Sequence, residues 1–255
     1  MALLEIRDLT HYFGGLCALS DVNITLEEGT LTGLIGPNGA GKTTVFNLVS
    51  GFYKPSRGEI RFLGRSIGGL KPHQVTAQGV ARTFQNIRLW NDMTVLDNIR
   101  IAQHHRLGYG FVDTVLRTRR YQRREREIEA YARELLEVMK LTECADELPK
   151  NLPYGVQRKV ELARALSVEP RLLLLDEPAA GLNTADVEDL IRLIRWIRDR
   201  FNVTIWMIEH HMDVVMELCS RITVIDFGGI IAEGTAEEIR QNPAVIQAYL
   251  GDDEI

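Results

Sequence analysis

Eight consecutive residues, Gly36-Pro37-Asn38-Gly39-Ala40-Gly41-Lys42-Thr43, follow the pattern G-x-x-x-x-G-K-[ST] and constrain the fold more than any other stretch of the chain. The pattern describes a turn between a buried strand and a helix, because only there can several backbone N–H groups face one highly charged anion. Glycine at positions 36, 39 and 41 removes Cβ atoms that would obstruct the anion's approach. The flanks agree: Leu31-Thr32-Gly33-Leu34-Ile35 reads as a short buried strand, and Lys42 to Ser50 as a helix ending at Gly51. The anion is therefore expected to be a nucleoside triphosphate lined by Gly36, Pro37, Asn38, Gly39, Ala40, Gly41, Lys42, Thr43 and Thr44. Lys42 would reach the β- and γ-phosphates, and the Thr43 hydroxyl would ligate Mg²⁺.

A second nucleotide signal lies far downstream, where Leu172-Leu173-Leu174-Leu175 forms an apolar strand ending in Asp176 and Glu177. Carboxylates at the C-terminal end of a buried strand stand where α/β folds present ligands. Asp176 is suited to holding Mg²⁺ through water, and Glu177 to accepting a proton from a water attacking the γ-phosphate.

Composition narrows the class. A chain of 255 residues, 45% hydrophobic and 25% charged, can bury a full core. Its net charge of −5 argues against a general nucleic-acid binder, which needs a basic footprint. No apolar run approaches the roughly 18 residues that span a bilayer. Met1-Ala2-Leu3-Leu4-Glu5-Ile6 lacks the features of an export signal, so a cytosolic location is expected. Cys17, Cys144 and Cys219 are odd in number and widely spaced, and read as reduced thiols in the core.

A third segment, Asn151-Leu152-Pro153-Tyr154-Gly155-Val156-Gln157-Arg158, precedes a helix expected over Lys159 to Ser167. Gln85 closes Ala81-Arg82-Thr83-Phe84-Gln85, a turn runs through Ala179-Ala180-Gly181-Leu182-Asn183, and His210 follows a strand expected over Val203 to Ile208. On these ordered motifs the chain resembles, nearly end to end, the ATP-binding cassette (ABC) ATPases. It is further similar to the ATPase subunits of branched-chain amino acid importers. The residues concerned are 151 to 155, 176 to 183, Ile208-Glu209-His210, Asp92-Met93-Thr94-Val95, and the tail from Asn242-Pro243 to Tyr249-Leu250-Gly251. ATPases of uptake systems for urea, amides or other amino acids share much of this pattern, and a non-transport ABC ATPase acting as a nucleotide-gated switch is the more distant alternative.

The resemblance implies an α/β fold, a P-loop (RecA-like) core with an antiparallel β subdomain and an inserted helical subdomain. The core would comprise residues 1–88 and 165–232, the helical part 89–164, and a helical tail 233–255. Its cofactors would be ATP and Mg²⁺. Glu177, His210 and Gln85 would be catalytic, with Thr43, Gln85 and Asp176 around the metal. Phe13, or its neighbour Tyr12, would stack on adenine, a core aromatic being the competing reading. Leu152, Pro153, Tyr154 and Gly155 would form a signature presented in trans to the nucleotide of a second ATPase subunit.

The partners implied are two transmembrane permease subunits at the cytoplasmic face of the membrane and, indirectly, a periplasmic or extracellular solute-binding protein. A permease helix would dock near Gln85 to Asp97, where Trp90 reads either as an interface anchor or as a packed core residue. The signature also departs from the usual Leu-Ser-Gly-Gly-Gln. Pro153 carries neither hydroxyl nor N–H, Tyr154 and Val156 replace a glycine and the glutamine, and Asn183 stands where Asp is usual. These departures suggest a pairing with a different ATPase subunit, a homodimer being the other possibility.

Two further stretches are read from the residues alone. Ile128, Tyr131, Ala132, Leu135, Val138 and Met139 recur at helical spacing within the helical region. The nearby Arg117, Arg119, Arg120, Arg123, Arg124 and Arg126, interleaved with Glu125, Glu127 and Glu129, read as a solvated helix face, with a partner or lipid-headgroup surface as the minority alternative. Thr235-Ala236-Glu237-Glu238 offers a capping box for a late helix.

Overall fold

The computed structural model describes residues 2–106 and 108–250, so Gly251 at the end of the tail motif lies outside the described residues. The chain divides into two compact units, one formed by Met1–Gln85 and Arg171–Ile255, the other by Asn86–Pro170.

The first unit holds two sheets. Strands β1 (Ala2–Phe13), β2 (Leu16–Glu27), β4 (Arg57–Phe62) and β5 (Arg65–Ser66) form an antiparallel sheet in the order β2-β1-β4-β5. Strands β3 (Leu31–Ile35), β6 (Val80–Arg82), β7 (Leu172–Asp176), β8 (Thr204–Ile208), β9 (Arg221–Asp226) and β10 (Gly229–Gly234) form the second, ordered β10-β9-β3-β8-β7-β6. All neighbours in it are parallel except the β9–β10 hairpin. Every residue of β3, β7 and β8 is buried, which explains why their sequences are mostly apolar without alternation: a parallel strand covered on both faces has no solvent side. The two sheets share one core, in which Leu4, Ile6, Ile24 and Phe62 of the antiparallel sheet join Trp206 of β8 and Phe46. Phe46 belongs to α1 (Lys42–Val49), and its ring lies 5.0 Å from that of Trp206.

The remaining helices of this unit are α2 (Pro72–Ala77), α7 (Thr184–Phe201), α8 (Met212–Leu218), α9 (Ala236–Gln241) and α10 (Pro243–Leu250). The expected capping box opens α9, with Thr235 accepting from the Glu238 N–H and Glu238 accepting from the Thr235 N–H.

The second unit is helical: α3 (Val95–Ala102), α4 (Phe111–Val115), α5 (Arg119–Val138) and α6 (Tyr154–Leu166). Thr94 and Thr118 cap α3 and α5 through their side-chain oxygens. α5 buries Ile128, Ala132, Leu135 and Leu136; of the expected stripe Met139 is buried at the C-cap while Tyr131 and Val138 are only half-buried, and Leu136 is added. On its outer side Arg123 and Arg124 both reach Glu127 across one turn, as a solvated face does.

Three expectations change. α6 begins at Tyr154, five residues before the expected Lys159, because Pro153 sits at its N-cap rather than interrupting it. Only Cys219 is a core thiol; Cys17 is exposed and Cys144 half-buried. Trp90 is 48% exposed beneath the Arg164 guanidinium, which rules out the packed-core reading.

Candidate nucleotide site

Buried strand β3 runs into the loop at Gly36 and emerges into α1 at Lys42, the strand-to-helix context that the motif requires. The glycines serve partly for a reason other than ligand approach. A Cβ on Gly36 would lie 1.9 Å from the Ile225 carbonyl oxygen, so glycine there lets the loop pack against β9. Gly39 is different: its φ of +79° favours glycine, and a Cβ there would meet nothing within 4 Å. That open space adjoins the first turn of α1, whose backbone N–H groups have no intrahelical acceptor.

Lys42 is 5% exposed, and its Nζ donates to the carbonyls of Gly36 and Pro37, both at 2.7 Å. Burial holds its ammonium below the usual lysine range, an effect the charge of Glu177 partly offsets. The residues from Asn38 to Thr44 together with Glu177 and His210 line a hollow of about 200 Å³.

The acidic pair splits in role at the end of β7. Asp176 is buried, and its Oδ2 accepts from the Arg82 guanidinium at 2.7 Å. Arg82 also donates to Asn47 Oδ1 of α1 and to Ser50 Oγ at that helix's C-cap, both at 2.8 Å, and lies over the rings of Phe46, Phe52 and Phe84. Glu177 turns away with φ +48°, a left-handed backbone that is strained for a residue with a side chain. Its carboxylate receives Gln85 Nε2 at 2.6 Å on one oxygen and contacts His210 Nε2 at 2.7 Å on the other. Gln85 arrives there because the Thr83 N–H extends the β6–β7 pairing by donating to Leu174 O. Three residues expected to act together therefore meet at one carboxylate.

Phe13 is outside this hollow, at the end of β1, 42% exposed, with its ring edge-on to His11 and Tyr53. It is not a core residue, and Tyr12 beside it is equally open at 43%. In the helical unit, Pro153, Tyr154 and Gly155 are exposed at the start of α6, Leu152 is half-buried, and the Gln157 side chain donates to the Leu152 carbonyl. Asn183 is the N-cap of α7, accepting from the Asp186 N–H at 3.0 Å, a duty Asn and Asp perform equally well.

Two charged residues of the site were not singled out in the sequence. One is Arg82. The other is Glu209, 1% exposed, which accepts from the main chain at Ala179, His210 and His211. Their signal was a charge at the end of an apolar strand, which demands a buried partner without naming it.

The ATP phosphates fit the loop: backbone donors and a buried ammonium surround a hollow with open space at Gly39. For Mg²⁺ the donors are those that this ion prefers, a hydroxyl at Thr43 and a carboxylate at Asp176. Among the described residues no group of three or more His, Cys, Asp or Glu could hold a metal, so most of the coordination would fall to phosphate and water.

These features define the class, a nucleotide-binding ATPase core. The ABC transporter family model matches residues 19–180, and a model described as branched-chain amino acid ATP-binding cassette transporter matches residues 230–255. The high-affinity branched-chain amino acid transport ATP-binding protein BraF of Pseudomonas aeruginosa is 48% identical, over 98% of each chain. LivG of Escherichia coli K12, with the same description, is 45% identical over 98% of each chain. Among solved structures, the ADP conformation of MJ1267, an ATP-binding cassette of an ABC transporter, superposes with a TM-score of 0.85. It is 30% identical and covers 98% of this chain and 99% of that one. The chain therefore belongs to the ABC transporter family, as an ATP-binding and ATP-hydrolysing subunit. No helix among the described residues is long and apolar enough to cross a membrane.

Proposed function

We propose that this chain powers the import of branched-chain amino acids, working at the cytoplasmic face of the membrane beneath two permease subunits and opposite a second ATPase subunit. The relatives' names and the match over residues 230–255 support the solute class. The observation that carries the chemistry is the Glu177 carboxylate, held by Gln85 and His210 at the edge of the phosphate-loop hollow.

Lys42 and the N–H groups from Gly39 to Thr43 hold the β- and γ-phosphates, and Phe13 offers a ring to adenine. Thr43, Asp176 and Gln85 would hold Mg²⁺, which when bound would neutralise triphosphate charge. Arg82 keeps the Asp176 carboxylate aimed. Glu177 takes a proton from the attacking water, with His210 and Gln85 fixing its two oxygens. Leu152, Pro153, Tyr154 and Gly155 face the nucleotide of the opposing subunit, so that binding closes the pair and hydrolysis reopens it. Because Pro153, Tyr154 and Val156 supply fewer donors than the usual signature, the partner is a different chain with a complete one.

The test is transport by vesicles containing this chain, a second ATPase subunit and two permease subunits of a branched-chain amino acid importer, with the matching solute-binding protein. ATP-dependent leucine uptake that stops with Lys42→Ala is expected. Uptake of urea or an amide in place of leucine overturns the solute assignment, and strong hydrolysis by this chain alone overturns the asymmetric pairing.

A further inference from the structure

Glu209 directly follows β8, a strand in which every residue is buried, and is itself 1% exposed. Removing a carboxylate from water is costly unless its oxygens are fully engaged. Here no Lys, Arg or His side chain pairs with it among the described residues; main-chain donors do the work. Oε1 accepts from the Ala179 N–H at 2.6 Å, while Oε2 accepts from the N–H groups of His210 at 3.0 Å and His211 at 3.3 Å. An ionised carboxylate is an acceptor at both oxygens, so it can satisfy converging donors on two sides; an amide would turn a donor toward one of them.

The two sides are the two halves of the hydrolytic site. Ala179 stands two residues after Glu177, in the turn where the Ala180 N–H donates to the Glu177 carbonyl. His210 is the residue whose Nε2 meets Glu177 Oε1 at 2.7 Å. Glu209 therefore bridges beneath the His210–Glu177 contact, fixing the backbone on both sides of it. The left-handed φ of Glu177 needs such over-determination, since strained backbone persists only where its surroundings hold it.

We propose that Glu209 is a positioning residue for hydrolysis, a buried main-chain clamp that sets the distance between Glu177 and His210. This rests on the reading of Glu177 and His210 given above.

The experiment compares Glu209→Gln with the unaltered chain in the assembled transporter, in both the native and His210→Ala backgrounds, using single-turnover hydrolysis so that slow rates remain measurable. The expected result is a fall in hydrolysis of about 10- to 100-fold, the scale of a small misplacement at a reacting centre. KM for ATP should stay within about 2-fold, because the phosphate loop is untouched. In the His210→Ala background the same substitution should cost less than about 2-fold, since residues acting through one contact are not additive.

In the ¹⁵N spectrum the amide signals of Ala179 and His210 should move together, and both depart from their strongly hydrogen-bonded positions. An unchanged rate, or an equal loss in both backgrounds, overturns the proposal. If Glu209→Gln does not fold, Glu209→Asp, too short to span both donors, is expected to give the same pattern, and normal turnover from it overturns the clamp. Should Glu177→Gln retain normal hydrolysis, the underlying reading of the site fails instead, so the two failures are distinguishable.

Discussion

The nucleotide end of the first unit and the signature segment of the second are prepared for chemistry in opposite ways. At the first, charged groups are withdrawn from water and each is held by named partners: Lys42 by two carbonyls, Asp176 by Arg82, Glu177 by Gln85 and His210. At the second, Pro153, Tyr154 and Gly155 lie exposed on the opening turn of α6, and the buried pair of that helix, Arg158 with Glu161, lies one turn further in. The difference teaches that one region is organised by its own chain while the other is left open to solvent, as the proposed contact with a second ATPase subunit requires. Substitutions at the first should therefore be felt without any partner, and those at the second only when a partner is present.

The largest break in that contrast is expected at Glu177. Glu177→Gln should slow hydrolysis by about 10² to 10⁴, roughly 3 to 5 kcal/mol in the barrier, while ATP binding measured by equilibrium titration stays intact. Near-normal turnover removes Glu177 from the role of base. Next, Arg82→Met leaves Asp176 buried without its cation and should destabilise the fold by about 3 to 5 kcal/mol in urea unfolding. A companion Asp176→Asn change should recover part of that loss, and if it recovers none the pair is not the cause.

Tyr154→Ala sharpens the comparison from the other side. Unfolding of the chain should shift by no more than about 1 kcal/mol, because the residue is exposed although its ring and hydroxyl meet the Arg158 guanidinium. Turnover of the two-subunit assembly should fall about tenfold, equivalent to about 1.4 kcal/mol. A stability loss as large as the activity loss would erase the distinction between the regions.

A smaller effect is expected at Asn183→Ala, which removes the N-cap of α7 and should cost about 1 kcal/mol, read as a lowered Tm. Smallest is a difference in labelling rather than energy. Burial first, and the charge of Glu209 second, push the Cys219 thiol above the usual range, so it stays protonated and should resist alkylation in mildly basic buffer where exposed Cys17 reacts. Equal labelling of the two in the folded protein contradicts the burial of Cys219.

What could be read in the sequence was whatever the chemistry confines to a short run. Gly36 to Thr43, with Asp176 and Glu177, announce themselves because a triphosphate accepts few alternatives, whereas a lone Gln85 or His210 carries no such mark and takes its role only from the family resemblance. Arg82 and Glu209 stayed hidden because their partners lie far along the chain: Asp176 is 94 residues from Arg82, and Ala179 is 30 from Glu209. A charge after an apolar strand says that something must answer it, and only topology says what.

Local geometry accounts for the other gaps. Cys17 lies in an apolar stretch yet sits by the tight end of the β1–β2 hairpin, opposite Tyr12, where both strands leave the core. The helix expected from Lys159 opens instead at Tyr154, because a residue that donates no N–H, such as Pro153, costs nothing at a helix start, where that N–H would have no partner. Gly36 carries no mark separating its packing against Ile225 from a role toward ligand.

The two carbonyls that receive Lys42 have a consequence for the end of each catalytic cycle. A cation deep in a protein wall clings to any anion if departure strands it bare. On the role proposed for Lys42, Gly36 and Pro37 would give this ammonium a resting place on the loop itself, so that inorganic phosphate could leave while the charge stays solvated by the backbone. The grip is thereby reversible by construction, as an engine that must let go after every stroke requires.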